Sequence, residues 1–165
     1  MTRSYEPITA DDLRRLRDIA AQDRAEFFQR KPDNARRYQH RLFAVALCQG
    51  AALHYLDGTT GIKDLDVWSF FQRDPERHFP ARRRKQLDFG DPKFGRTDGA
   101  PRQFIGRRVD HMGRDIDDDD FSDPVAVLRR YLREGKTDTA NSLAKKAVIL
   151  LEPAPLFGTV VWPLE

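Results

Sequence analysis

The 165-residue sequence has a single cysteine, two methionines and no long apolar run. With only Cys48, an internal disulfide framework and a multi-cysteine zinc site are excluded, which fits a reducing, cytoplasmic setting. No apolar run approaches the roughly 18 to 20 residues that a transmembrane helix needs, so no membrane partner is expected. The opening MTRSYEPITADD lacks the apolar core of a secretory signal. A dominant charge is also missing: 29 Lys and Arg stand against 26 Asp and Glu, for a net +3. That balance gives no argument for nucleic-acid binding from overall charge; only local clustering could supply one. What remains is a chain 39% hydrophobic and 33% charged, which predicts one domain over 1–165, with a compact core under a charged surface.

The pattern of elements predicts an α/β (α+β) fold, a small mixed sheet flanked by helices. Residues 1–41 read as N-terminal helices. Thr9 caps the first, Asp11 and Asp12 suit its positive end, and Leu13, Leu16, Ile19, Ala20, Phe27 and Phe28 form its apolar stripe until Pro32 breaks it. A second short helix is predicted from Asp33 to His40. Residues 42–114 form the core and carry the acidic motif. Residues 115–165 supply C-terminal helices and strands: a helix capped by Ser122 and closed by Gly135, another over Thr139 to Lys146, the strand AVILLE, and a last strand near 157–162. The run DIDDDD (115–120) lacks the glycine and terminal glutamate of a calcium loop and reads as solvated. Asp88 to Arg102, rich in Gly and Pro, reads as a long mobile loop.

Chemistry concentrates in Leu42 to Phe71. An apolar strand at 42–48 meets a turn at Gln49-Gly50, a helix is predicted from Ala51 to about Tyr55, and Asp57 to Gly61 turns the chain into Asp64-Leu65-Asp66-Val67-Trp68. Strand alternation puts Asp64 and Asp66 on one face, Leu65 and Val67 on the other. Two carboxylates side by side repel each other, and a divalent cation, Mg2+ foremost, would relieve that repulsion. Cys48 reads as a small buried residue, Lys63 as surface and His54 as a packed or exposed helix residue. The run Ala81 to Gln86 (ARRRKQ) is either solvated surface or a contact for phosphate.

In this order, strand, Gly turn, helix and Asp-x-Asp strand, the stretch resembles the nucleotidyltransferase superfamily, the DNA polymerase beta-like fold. The segment GAALHYLDGTTGIKDLDVW is most similar to small bacterial members of toxin–antitoxin and phage-abortive systems. The resemblance implies a Mg2+-dependent nucleotidyltransferase that moves a nucleotidyl group from an NTP to a hydroxyl of RNA, a protein or a small molecule, with a cognate toxin or antitoxin protein as a further partner. It implies Asp64, Asp66 and a later-strand carboxylate as catalytic and metal-binding residues. Asp110 is the candidate for the third, with Asp88 the runner-up. The turn Gln49-Gly50-Ala51 would lie against the triphosphate, with Arg82, Arg83 and Lys145 among the cations that neutralise it. His111, next to Asp110 on a regular strand, should face away from it. Gln49 stands where the family has its first glycine, and no serine follows Gly50. That departure motivates the alternative, a non-catalytic binding or antitoxin-type module of the same fold.

Overall fold

The computed structural model describes residues 3–80 and 84–164, except for the side chain of Arg84. Helix α1 (Ala10–Arg30) begins at a reciprocal cap. The Asp12 amide donates to Thr9 Oγ1 at 3.2 Å, and the Thr9 amide donates to Asp12 Oδ2 at 2.8 Å. Leu13, Leu16, Ala20 and Phe27 of its apolar stripe are buried. Pro32 opens α2 (Pro32–Tyr38), a position where its missing N–H costs nothing.

Strand β1 (Leu42–Cys48) is buried on both faces from Phe43 onward, which explains its unbroken apolar sequence. Helix α3 (Gln49–Asp57) follows without a linker, starting two residues earlier than the sequence predicts. Asp57 then accepts the amides of Thr59 and Thr60 at 2.8 and 2.9 Å and sets the turn into β2 (Leu65–Gln72). Strands β3 (Arg84–Asp88), β4 (Arg108–Ile116), β5 (Ala147–Glu152) and β6 (Val160–Trp162) complete one six-stranded sheet in the order β3-β4-β2-β1-β5-β6. The pairings are antiparallel except for β2 with β4, which run parallel. The expected α+β architecture, a mixed sheet flanked by helices, is therefore present.

One sheet face packs against α1 and α3 through Leu47, Leu65, Val67, Val109 and Ile149. The other packs against α4 (Pro124–Glu134) and α5 (Asp138–Leu143) through Ala44, Ala46, Phe70 and Leu150 with Val127, Leu128, Leu132 and Leu143. Each large aliphatic side chain so buried contributes about 1.5–3 kcal/mol. The cap of α4 is Asp123, one residue past the predicted Ser122; its carboxylate accepts the Ala126 amide at 3.2 Å. Gly135 closes α4 at φ 58, where a side chain would be strained and would also strike Asn141. Among the described residues no helix is long and apolar enough to cross a membrane.

Two sequence expectations change in the loops. The 89–107 segment is pinned rather than free: Phe89, Phe94, Thr97 and Arg107 are buried, and Lys93 reaches Asp12 of α1 at 2.6 Å. Strand β4 accordingly starts only at Arg108, because Asp88 captures the amides of Ile105 and Gly106 at 2.7 and 2.8 Å. Asp115 does not belong to a solvated run. It ends β4 with a side chain only 5% exposed, accepting from Arg73 Nε at 3.0 Å, from the Phe79 amide at 2.6 Å and from the Tyr38 hydroxyl at 3.3 Å. This carboxylate gathers α2, the 73–79 loop and β4 around the stacked rings of Phe71 and Phe79. Asp115→Ala leaves a guanidinium and a buried amide without their acceptor. It is expected to cost about 3 kcal/mol or more, read as a lowered urea midpoint; a loss under about 1 kcal/mol would show that the loop holds without it.

Candidate functional site

The parallel pairing of β2 and β4 sets Asp66 directly opposite Asp110. Across β1 and β3 the same row continues to Cys48 and Gln86, so Gln86, Asp110, Asp66 and Cys48 cross the sheet in register. Registered neighbours share a face, and strands lie about 4.8 Å apart. Two carboxylates are thus held side by side on the α4/α5 face. The helices cover that face over Phe70 and Ile116, while Asp66, Trp68 and Met112 are left half-buried. Trp68 Nε1 is itself buried without a hydrogen bond among the described residues.

Asp64 lies one residue before β2. Its Oδ2 accepts from Arg108 Nη2 at 2.9 Å, and Arg108 Nε lies 3.3 Å from Asp110 Oδ1. One guanidinium therefore spans the carboxylates of two strands. The side chains are 15% exposed at Asp64, 19% at Arg108 and 2% at Asp110. Asp64 Oδ1 is buried and accepts no hydrogen bond among the described residues. A second cation stands close behind: Arg107 is buried and donates to the carbonyls of Phe94 and Lys63. Burial lowers its pKa from the usual arginine value, while the charges of Asp64 and Asp98 pull the other way.

The β1–α3 junction borders this row. Cys48 is the helix N-cap, but its thiol donates to the Ala46 carbonyl at 3.8 Å and caps no amide of the helix, so α3 has first-turn amides and the positive end of its dipole immediately after Asp66's register partner. Gln49 takes φ 62, a left-handed backbone that favours glycine, which gives a physical reason for glycine at such a turn. A side chain built at Gly50 would come within 3.7 Å of Lys146 Nζ. Burial first, and then the negative charge of Asp66, push the Cys48 thiol well above its ordinary pKa. It stays protonated and unreactive.

Of the residues predicted from sequence, Asp64, Asp66, Asp110, Gln49, Gly50 and Ala51 come together here, with Ala51's side chain in the core. Among the described residues, however, no group of three or more His, Cys, Asp or Glu side chains stands close enough to hold a metal ion, and Arg108 occupies the space between Asp64 and Asp110. Lys145 is exposed, and its neighbour Lys146 is the lysine at the turn. Asp88 is no third carboxylate, since it caps the following loop. Burial would raise its pKa, but the amides of Ile105, Gly90 and Gly106 and the charge of Arg15 outweigh burial and hold it below the usual carboxylate value. Arg82 and Arg83 lie outside the described residues. Lys63 is exposed and His54 buried, bonding the carbonyls of Thr60 and Glu6 at 2.7 and 2.9 Å.

Sequence reading assigned no role to Arg108, although its parity with Asp110 was visible. It also missed a constellation on the opposite face. His111 turns away from Asp110, as the alternation predicts, and places Nδ1 2.6 Å from Asp23 of α1 and Nε2 2.7 Å from Ser69 Oγ. The three residues match a nucleophilic triad in type. All are at most 2% exposed, however, and Arg24 donates to the same hydroxyl at 3.2 Å. No substrate reaches that serine; the group clamps α1 to the sheet. Three elements far apart in sequence build it, so no local pattern announces it. No model of a known family, no curated protein and no solved structure matches the chain.

Relieving the backbone at Gln49 tests whether the turn is strained. Gln49→Gly is expected to stabilise the fold by about 0.5–1 kcal/mol, measured by urea unfolding, because left-handed backbone costs a non-glycine residue more than glycine loses in chain entropy. A destabilised variant would mean that the Gln49 side chain contributes contacts worth more than the strain.

Proposed function

We propose that the chain is a Mg2+-dependent nucleotidyltransferase, moving a nucleotidyl group from an NTP to a hydroxyl of RNA, a protein or a small molecule. The observation that carries this reading is the register of Asp66 with Asp110 on adjacent parallel strands, with Asp64 two residues upstream and the N-terminus of α3, which no side chain caps, alongside. The donor type suits a hard divalent ion, since all three groups are carboxylates and Asp64 Oδ1 is buried with no donor among the described residues, but as placed the three do not stand close enough to hold one. Asp64, Asp66 and Asp110 would hold it, and when bound it would neutralise triphosphate charge and stabilise departing pyrophosphate.

The chain's own residues supply the rest. First-turn amides of α3 and the Lys146 ammonium bind and orient phosphate oxygens beside Asp66. An Asp110 carboxylate oxygen is the group that accepts the proton of the attacking hydroxyl. Trp68 and Phe70, stacked 13° from parallel, line the same face with apolar surface.

A second reading, a non-catalytic module of the same fold, is favoured by one feature. Arg108 already supplies positive charge between Asp64 and Asp110. Assay of labelled NTP turnover with Mg2+ separates the two readings. Joint Asp64→Ala and Asp66→Ala substitution is expected to bring wild-type turnover to background, and Lys146→Ala to weaken NTP binding about tenfold. Turnover retained in the double variant would overturn the first reading.

A further inference from the structure

We infer that the cleft where β2 and β4 end beside α4 binds a small organic carboxylate, whose single anionic head is held by Arg114. The cleft has a volume of about 510 Å³ and lies between the last residues of β4, the 117–119 loop and the C-terminal half of α4. Arg114 shares the α4/α5 face with Asp110 and stands in register with Phe70. Four residues of strand, about 13 Å, separate it from Asp110, so the cleft is a second place on that face. The charges lining it pair off and leave one cation over. Arg73 lies 3.0 Å from Asp115 and 3.8 Å from Asp117, Arg130 reaches the two oxygens of Asp118 at 3.1 Å each, and Lys136 meets Glu134 at 3.0 Å. Arg114 is half-buried, donates to Thr139 Oγ1 at 2.9 Å and has no carboxylate partner among the described residues. A hydroxyl satisfies an N–H but leaves the charge unmatched, and a guanidinium does not shed its proton to escape that cost.

Hydroxyls complete the donor set. The Tyr131 and Thr137 oxygens lie 3.1 Å apart, and whichever of them donates, one hydroxyl hydrogen is left for an outside acceptor. Burial raises the Tyr131 pKa, with Thr137 and Arg114 opposing, so at neutral pH the phenol keeps its proton. A planar carboxylate matches the guanidinium fork. Two features narrow the ligand further. Asp117 and Asp119 stand exposed in the lining, so additional negative charge on the ligand is repelled. Ile116 and the Tyr131 ring add apolar wall, which favours a hydrocarbon body behind the head in a cleft of small-molecule size.

Titration of isotope-labelled protein, followed by NMR at the backbone amides of Thr137 and Thr139, tests this with benzoate, acetate and tripolyphosphate as probes. In the wild type benzoate is expected to shift these amides saturably, acetate to bind about tenfold more weakly, and tripolyphosphate to leave them in place. Arg114→Gln is expected to weaken benzoate about tenfold. Arg114→Lys, which keeps the charge but not the fork, falls between and covers a Gln variant that fails to fold. No saturable benzoate shift in the wild type, or undiminished benzoate binding in the variants, overturns the site. Acetate binding as tightly as benzoate overturns the hydrocarbon body. Tripolyphosphate shifting the same amides overturns the single charge.

Discussion

The pairing of β2 with β4 is the constraint on which the functional half of the molecule depends. It is the parallel join in an otherwise antiparallel sheet. It places like charges opposite each other at Asp66 and Asp110, an arrangement that opposes the pairing unless a cation offsets it. Arg108 meets that demand at Asp110, while Arg107, its neighbour on the chain, lies on the other side of the strand. Arg107 is buried beneath the loop carbonyls of Phe94 and Lys63, and Arg108 lies across the carboxylates. The 89–107 connection leads from β3 back to its antiparallel neighbour β4, and its buried Phe89, Phe94 and Thr97 hold it in place.

The two sheet faces have different roles, and β4 shows the division residue by residue. Asp110 points to the α4/α5 face, where it is itself buried, and His111 points to the opposite face, to Asp23 and Ser69. Asp115, of the same parity as His111, is satisfied by Arg73, Tyr38 and the Phe79 amide. Polar groups on the opposite face thus have partners and serve rigidity. On the α4/α5 face Asp64 Oδ1 has none among the described residues, and one arginine bridges Asp64 and Asp110.

Much of this could be read from the sequence because periodicity is a local property. The buried strand at Leu42–Cys48, the stripe of α1 with its Thr9 cap and the alternation of Asp64, Asp66 and Trp68 each followed from spacing within a few residues. Asp110 could be picked as the partner of Asp66 only through a family resemblance, since registration between strands is a tertiary fact. What escaped the sequence shares one cause. The bridge made by Arg108, the burial of Asp115, the capping work of Asp88 and the clamp of Asp23, Ser69 and His111 all join elements distant along the chain. Of the lysine pair Lys145 and Lys146, both candidates for phosphate from the sequence, Lys146 is the one beside Gly50, past the end of α5 at Leu143.

The parallel join also has a consequence for how the molecule assembles. Strands β1 and β2 with α3 between them make a hairpin-like unit of short sequence separation, able to form early. Asp110 arrives from a strand whose residues lie forty-four positions further along the chain than their β2 partners, so a long loop must close before the two carboxylates meet. The acidic row is therefore assembled late in folding. Until β4 docks, Asp66 lies on an unpaired strand edge open to solvent, and its charge discourages that edge from pairing with another chain.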